Sequence, residues 1–248
     1  MSPTQLAIIA GIGPGTGASV ARRFASKYTT ILLARNIDNL ESIERSITDK
    51  GGRAKSISAD VSNPESISRA FDKIKQEFPD ATCAAAVFNA TGPFVKKGIL
   101  DITVEEFDAG YGVSMRGALL FAQNTLPLLL KHNDLKSEDH HPPTLIFTGA
   151  SASLRGNAKF SIFGAPKFGL RGLAQSIARE FAPQGVHVAH AVIDGPIDIP
   201  QHQFFLKDKP KSESIDPEAI AETYWSLHCQ SQRCFTHEVD IRAMGEKW

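Results

Sequence analysis

The hydrophobic positions of this chain fall mainly into short, unbroken apolar runs rather than alternating patterns. Continuous runs are typical of strands covered on both faces, because an alternating strand would expose every second side chain to water. We therefore predict a parallel sheet buried between helices. The predicted strands span residues 6–10, 30–34, 54–59, 83–88, 144–148 and 186–193.

Between these runs, apolar residues recur at helical spacing within otherwise polar segments. Strands that alternate with helices indicate an α/β fold of the Rossmann type, with a doubly wound parallel sheet flanked by helices. The chain has 248 residues, of which 42% are hydrophobic, so we expect one core and a single domain over residues 1–248. The predicted helices span residues 16–27, 38–50, 64–77, 113–131 and 162–181.

Two segments carry no such periodicity. Residues 131–143 are polar and contain two prolines, which predicts an exposed connection between a helix and the next strand. Residues 195–216 combine prolines and charges with the pair Phe204-Phe205. A long irregular segment after the carboxyl end of a strand is a common place for a substrate lid in an α/β fold, and we predict a lid here.

A glycine-rich loop directly follows the first predicted strand and leads into the first predicted helix. Glycines permit a tight turn and a close approach of the backbone to a pyrophosphate, and free N–H groups at a helix start bind negative charge. The placement therefore predicts a dinucleotide site. Its candidate residues are Gly11, Gly13, Gly15, Thr16 and Gly17.

Together with three later motifs, this loop resembles the short-chain dehydrogenase/reductase superfamily over essentially the whole chain. An acidic dipeptide after the third predicted strand is similar to the one that contacts adenine in the family. A sequence after the fourth resembles the family's NNAG motif, and one after the sixth resembles its PG motif, where a backbone holds the nicotinamide carboxamide. The resemblance implies cofactor contacts at Asp60, Val61, Asn89, Ala90, Gly195 and Ile197.

The end of the second predicted strand indicates which cofactor binds. An NAD enzyme places an acidic side chain there for the ribose 2′-hydroxyl, but this chain has no acid there and has Arg35 just past the strand. A guanidinium matches a 2′-phosphate with two parallel hydrogen bonds. We therefore predict NADP(H), with a solvated surface role for Arg35 as the alternative.

The positions that carry catalysis in the family differ here, with one exception. Lys167 matches the active-site lysine, but Phe163 replaces the tyrosine, Ala150 replaces the serine and Ser114 replaces the asparagine. In the family the phenol protonates the developing alkoxide while the lysine lowers its pKa and binds the nicotinamide ribose. A phenyl ring cannot donate that proton. The candidate catalytic residues are therefore Lys167, Ser114 and Ser151, which stands next to Ala150.

The missing phenol narrows the expected chemistry. Reduction of an iminium needs hydride but no proton on oxygen, so a C=N or activated C=C bond would tolerate Phe163 better than a ketone. We predict an atypical NADP(H)-dependent oxidoreductase acting on a small organic molecule. Two alternatives stay open: a redox-neutral cyclase or isomerase that uses the nucleotide for structure, and a non-catalytic NADP-binding regulator.

Charge and cysteine content bear on partners and location. Lys and Arg balance Asp and Glu at 27 each, which favours neither nucleic acid nor an anionic membrane as partner. The histidines and the three cysteines show no metal-site spacing, and no targeting segment is evident, so we expect a cytoplasmic protein without a metal. The family resemblance implies a homodimer or homotetramer that pairs through the helices predicted at 113–131 and 162–181.

Overall fold

The computed structural model describes residues 3–135 and 141–246. Residues 136–140, which include His140 and form the middle of the predicted connection at 131–143, lie outside the described residues. The first residues of that connection continue the preceding helix as far as Asn133. Within the described ranges, no helix is long and apolar enough to cross a membrane.

A parallel sheet of seven strands, in the order β3-β2-β1-β4-β5-β6-β7, forms the centre of the molecule. Every neighbouring pair is parallel, and the order reverses direction beside β1, as expected for a doubly wound sheet. The strands are β1 Gln5–Ala10, β2 Thr29–Ala34, β3 Arg53–Ser58, β4 Thr82–Phe88, β5 Thr144–Thr148, β6 His187–Asp194 and β7 Glu238–Arg242.

Helices cover both faces of this sheet, and several begin at side-chain caps that the sequence supplies. Asn36, Asn63 and Asp216 each accept hydrogen bonds from backbone N–H groups in the first turn of the helix that follows. The helices are α1 Thr16–Ala25, α2 Ile37–Thr48, α3 Pro64–Glu77, α4 Val104–Tyr111, α5 Gly117–Asn133, α6 Ser161–Phe181, α7 Gln203–Leu206 and α8 Pro217–His228.

The core has one layer on each face of the sheet. Phe71, Phe121 and Phe147 belong to the layer under α3, α5 and α6. Phe24 and Tyr224 belong to the opposite layer, under α1, α2 and α8. The fold predicted from the sequence, a single-domain Rossmann-type α/β sheet, is confirmed.

Helix α4, helix α8 and strand β7 lie outside the sequence prediction. The helix expected at 113–131 is part of a longer helical segment, in which a π-helical turn at Gly112–Arg116 joins α4 to α5. The start of α4 has a sequence signal, because Thr103 and Glu106 form a capping box. Helix α8 and strand β7 also lack a predicted counterpart. Strand β7 alternates apolar and charged residues and is only half-buried, so it lacks the continuous apolar run of the other strands.

The segment predicted as a lid contains short helical turns rather than an extended loop. A 3-10 turn at Pro200–His202 leads into α7, and a second turn lies at Lys211–Glu213. Phe204 is 89% exposed, so its ring is not part of the core. A lid role for this segment stays a prediction.

Candidate functional site

The carboxyl ends of the parallel strands bring the candidate residues to one edge of the sheet. Because β1 and β4 are neighbours there, the loop after β1 packs against the segment after β4. Gly11 has a left-handed φ of 87°, and a Cβ at Gly11 would lie 2.3 Å from the backbone nitrogen of Ala90. The Asn89 amide donates a hydrogen bond of 2.9 Å to the Gly11 carbonyl. Asn89 and Ala90 therefore fix the shape of the glycine loop.

The start of α1 has the features of a phosphate site. Gly15 caps the helix without a side-chain hydrogen bond, so the first backbone N–H groups of α1 lack a side-chain acceptor. The Thr16 hydroxyl is buried and has no hydrogen-bond partner among the described residues. A Cβ at Gly13 would meet no atom within 4 Å, so space remains beside the loop. Thr16 and the helix start therefore fit the oxygen atoms of a pyrophosphate.

Ile199, from the predicted lid, forms one wall of this site. A Cβ at Gly15 would lie 2.5 Å from Cγ2 of Ile199, and a Cβ at Gly17 would lie 2.5 Å from the Gly11 carbonyl oxygen. Any side chain at Gly15 or Gly17 would therefore displace the lid or the loop. The sequence analysis did not identify Ile199, because nothing in its local pattern links it to the glycine loop.

Arg35 and Asp60 lie close together at the ends of β2 and β3. Asp60 accepts hydrogen bonds from the backbone N–H of Ser62 at 2.9 Å and from its hydroxyl at 2.6 Å. The Ser62 hydroxyl is the largest cause that lowers the pKa of Asp60, and the positive charge of Arg35 lowers it further. Arg35 forms no ion pair with a described residue, so its guanidinium is available to an anion.

Val61 has a packing role beside Asp60. It is buried, and a Cβ at Gly117 would lie 3.0 Å from its Cγ2 atom, so Val61 fixes the approach of α5 to the end of β3.

Lys167 lies in the second turn of α6 and is 3% exposed. Its ammonium donates a 2.8 Å hydrogen bond to the carbonyl of Thr148, at the end of β5. Burial lowers the pKa of Lys167 to about 8. Its Nζ also lies 5.8 Å from the centre of the Phe163 ring, so an aromatic face stands where the family has a phenol.

The two candidate serines differ in how they are engaged. Ser114, in the π-helical turn, is 1% exposed, and its oxygen accepts a 2.9 Å hydrogen bond from the backbone N–H of Gly92. That contact joins the helix to the segment after β4. Ser151 is half-buried in a 3-10 turn at Ser151–Ser153, and its hydroxyl makes no hydrogen bond to a described residue. Ser114 keeps an O–H proton that donates to no described residue, and the Ser151 hydroxyl is free both to donate and to accept.

Gly195 and Ile197 follow β6 at the same edge. Gly195 has a φ of 146°, in the region that favours glycine. Nδ1 of His202 lies 3.2 Å from the Ile197 nitrogen and 3.0 Å from its carbonyl oxygen. The backbone at Ile197, predicted to hold a carboxamide, is thus also within reach of a ring nitrogen from the lid segment.

Asp194 forms an ion-pair network beside this site that the sequence analysis missed. Its carboxylate is almost fully buried and lies 3.3 Å from the Arg155 guanidinium and 3.0 Å from that of Arg242. A buried carboxylate needs such partners because desolvation without them is costly. The network joins β6, β7 and the segment before α6.

The histidines on β6 bind side chains and backbone rather than one another. His187 Nε2 lies 2.9 Å from the Thr236 carbonyl, and His190 Nδ1 lies 2.9 Å from the Glu238 carboxylate. Glu238 also binds Arg171 of α6, at 2.7 Å. Among residues 3–135 and 141–246, no group of three or more His, Cys, Asp or Glu side chains could hold a metal ion.

Comparison of the sequence with known proteins shows which protein family it matches. A family model described as short chain dehydrogenase matches residues 5–208. A short-chain dehydrogenase/reductase from Armillaria gallica is 31% identical over 209 residues, which cover 83% of this chain and 76% of the relative.

Solved structures agree in fold. The crystal structure of a short-chain dehydrogenase from Rhodopseudomonas palustris has a TM-score of 0.78 and 30% identity, and the match covers 96% of this chain and 98% of that one. A metagenomic short-chain oxidoreductase in complex with NADP has a TM-score of 0.78 and 23% identity, with 97% of each chain covered.

Proposed function

The chain belongs to the short-chain dehydrogenase family of oxidoreductases, and from this premise we propose that it uses NADP(H) to reduce a C=N or activated C=C bond. Its substrate is a small organic molecule. The observation that carries this proposal is the pairing of Lys167 with Phe163, since the ammonium is 5.8 Å from a ring that has no hydroxyl.

The residues at the sheet edge support NADP(H) as the cofactor. Thr16 and the start of α1 would hold the pyrophosphate, and Arg35 would bind the 2′-phosphate because no acid occupies the end of β2. Asp60 and Val61 would border the adenine, and Lys167 the nicotinamide ribose. The cofactor supplies a hydride. A structural relative of this chain was crystallised with NADP, which agrees with this choice.

The remaining candidate residues would border the phosphates and the nicotinamide. Gly13 faces open space that the phosphates could fill, and Gly11, Gly15 and Gly17 shape the loop by their close contacts. Further along the cofactor we place Asn89, Ala90, Gly195 and Ile197, whose backbone lies at the carboxyl edge of the sheet.

The protein's own groups suit hydride transfer better than protonation of an alkoxide. Lys167 already donates to the Thr148 carbonyl, which leaves its other N–H groups for ribose hydroxyls. Ser114 accepts from the N–H of Gly92 and thereby positions the backbone, and its own O–H proton stays available to an acceptor. Ser151 has a free hydroxyl that can orient a substrate by hydrogen bonding. A hydroxyl needs a strong partner to act as an acid near neutral pH.

We also propose a homodimer or homotetramer in the cytoplasm. Leu119 on α5 and Phe168 on α6 are 42% and 44% exposed, which gives these two helices an apolar outer surface. A contact between copies of the chain would cover it.

A cofactor-consumption assay tests the proposed reaction. NADPH fluorescence is followed with panels of cyclic imines, activated alkenes and simple ketones, and products are identified in parallel. We expect consumption with an imine or an activated alkene and negligible consumption with ketones. Product that forms equally well with NADP+ would show a redox-neutral cyclase or isomerase instead, and brisk ketone reduction would overturn the assignment of Phe163.

A further inference from the structure

Three phenylalanine rings form an aromatic cluster next to the buried lysine. Phe94, in the segment after β4, lies 5.0 Å from the ring of Phe160 and 5.1 Å from that of Phe163. Although its ring contacts both others, Phe94 is 65% exposed. Exposed apolar surface of this kind marks binding sites more often than an isolated surface residue does.

The position of this aromatic cluster ties it to the reacting bond. Phe163 belongs to the cluster and lies 5.8 Å from Nζ of Lys167. If Lys167 holds the nicotinamide ribose, a molecule that accepts the hydride must lie against the cluster. Aromatic rings favour flat, unsaturated partners that stack or pack edge to face.

The aromatic cluster has a positive charge beside it, on the side of Phe160. Nζ of Lys96 lies 6.0 Å from the centre of the Phe160 ring. The neighbouring Lys97 is neutralised, since its ammonium is 2.7 Å from the Glu106 carboxylate. No such ion pair joins Lys96 to any residue that the structure describes.

A second lysine, Lys159, directly precedes Phe160 in the chain. Lys159 has a left-handed φ of 70°, which is uncommon for a residue with a side chain. Its carbonyl accepts a 2.8 Å hydrogen bond from the backbone N–H of Lys97, which holds the two segments together. Lys159 is exposed and likewise forms no ion pair with a described residue, so Lys96 and Lys159 are two uncompensated charges on segments that this backbone bond joins.

We propose that this site selects a substrate with a flat, unsaturated body and an acid group, the body packing on Phe94, Phe160 and Phe163 and the acid pairing with Lys96 and Lys159. This inference rests on the proposed function, because it places the substrate of that reaction. Aromatic faces attract cations, but Lys96 and Lys167 already lie near two of these rings. A substrate with only positive charge would be repelled, whereas an imine that carries an acid group would bind.

Binding of three matched probes tests the substrate class. The probes are 2-naphthoate, 2-naphthamide and 2-naphthylmethylammonium, which share an aromatic body and differ in charge. Calorimetric titrations use the full chain, both free and saturated with NADP+. We expect the anion to bind most tightly and the cation most weakly. Lys96→Ala and Lys159→Ala should each weaken 2-naphthoate about two- to five-fold, as expected for a partly exposed ion pair, and leave 2-naphthamide unchanged.

Two further variants separate the contributions of charge and ring. Phe94→Ala should weaken all three probes to a similar degree, and its exposure means that folding does not depend on it. Lys50→Ala is the matched control, because Lys50 is an exposed lysine just beyond the carboxyl end of α2, at the opposite edge of the sheet. It should bind every probe as the wild type does.

The result is independent of turnover. Tightest binding of the cation, equal affinity for all three probes, or no saturable binding would overturn the inference. NADPH titration followed by fluorescence is run on the same samples. Failure to bind NADPH would refute the proposed function. NADPH binding without the expected ranking of probe affinities, anion tightest and cation weakest, would refute only this substrate class.

Discussion

Lys167 and Phe163 stand one turn apart on α6, and the ammonium of the lysine lies 5.8 Å from the centre of the phenyl ring. The ring can neither accept a proton from Lys167 nor release one to a substrate. Nζ instead donates a hydrogen bond of 2.8 Å to the Thr148 carbonyl. The lysine is therefore held by the end of β5, in place to bind a cofactor without a phenol to tune.

From this geometry we expect Lys167→Met to lose nucleotide affinity. Hydrogen bonds from a charged group contribute roughly 1.5–3 kcal/mol, so NADPH should bind about tenfold more weakly or worse. Fluorescence titration measures the change. Lys131→Met is the control, because Lys131 also donates to a carbonyl, that of Ala81, far from the site. A Lys167→Met protein with full affinity but a displaced pH–rate profile would show that the lysine tunes the pKa of another acid instead.

Arg35 should decide between the two nicotinamide cofactors. Charge-assisted pairing with a 2′-phosphate is again worth roughly 1.5–3 kcal/mol, so Arg35→Ala should weaken NADPH about tenfold or more and leave NADH little changed. Calorimetry on both cofactors measures this. Arg45→Ala, on the exposed face of α2, should change neither affinity, since its pair with Glu41 is 3.7 Å long and solvent-exposed. Tighter binding of NADH by the wild type would contradict the assignment.

Buried histidines should make the fold sensitive to mild acid. His228 is fully buried between the Tyr28 hydroxyl at 2.7 Å and the Thr144 hydroxyl at 2.9 Å. Burial is the largest cause that lowers its pKa well below 6.5, and burial also lowers the pKa of His187 and His190.

Because these pKa values are lower in the folded state, the unfolded chain binds more protons below pH 6.5. Stability should therefore be fully present above pH 6.5 and should fall as the pH drops, by up to about 1.4 kcal/mol per pH unit for each histidine. Thermal unfolding between pH 8 and pH 5.5 measures the slope. His228→Gln should unfold more easily at pH 8 but show a shallower slope, and a flat wild-type profile would contradict the argument.

The sequence predicts most of the scaffold because its signals are local. Five of the six predicted strands are buried over nearly their whole length, and the loop from Gly11 to Gly17 lies between a strand and a helix. Strand β7 was missed for a physical reason: it is half-buried at the sheet edge, where charged residues such as Glu238 and Asp240 are tolerated. Helix α8 did carry a signal, because its buried residues recur at helical spacing from Ile220 to Leu227.

The candidate site is less predictable because its contacts join distant parts of the chain. Phe94 meets Phe160 and Phe163 only after folding, and Ile199 meets Gly15 in the same way. No periodicity links such positions. Lys167 was identified by resemblance alone, while its burial and its bond to Thr148 come from the packing of α6 on β5.

The last prediction concerns the phenol itself. If its absence is what excludes ketones, Phe163→Tyr should raise NADPH-dependent turnover of a simple ketone from a negligible level to a measurable one, and Ala150→Ser added to it should raise turnover further. A positioned general acid contributes roughly 10²- to 10⁴-fold, so even partial placement would be detectable as a change in kcat/KM. Phe168→Tyr is the matched control, because it adds the same hydroxyl to α6 at a residue that is 44% exposed. If the wild type and Phe163→Tyr both reduce a ketone rapidly and at the same rate, another group already serves as the acid. Ser151, whose hydroxyl is free, would then be the first residue to substitute.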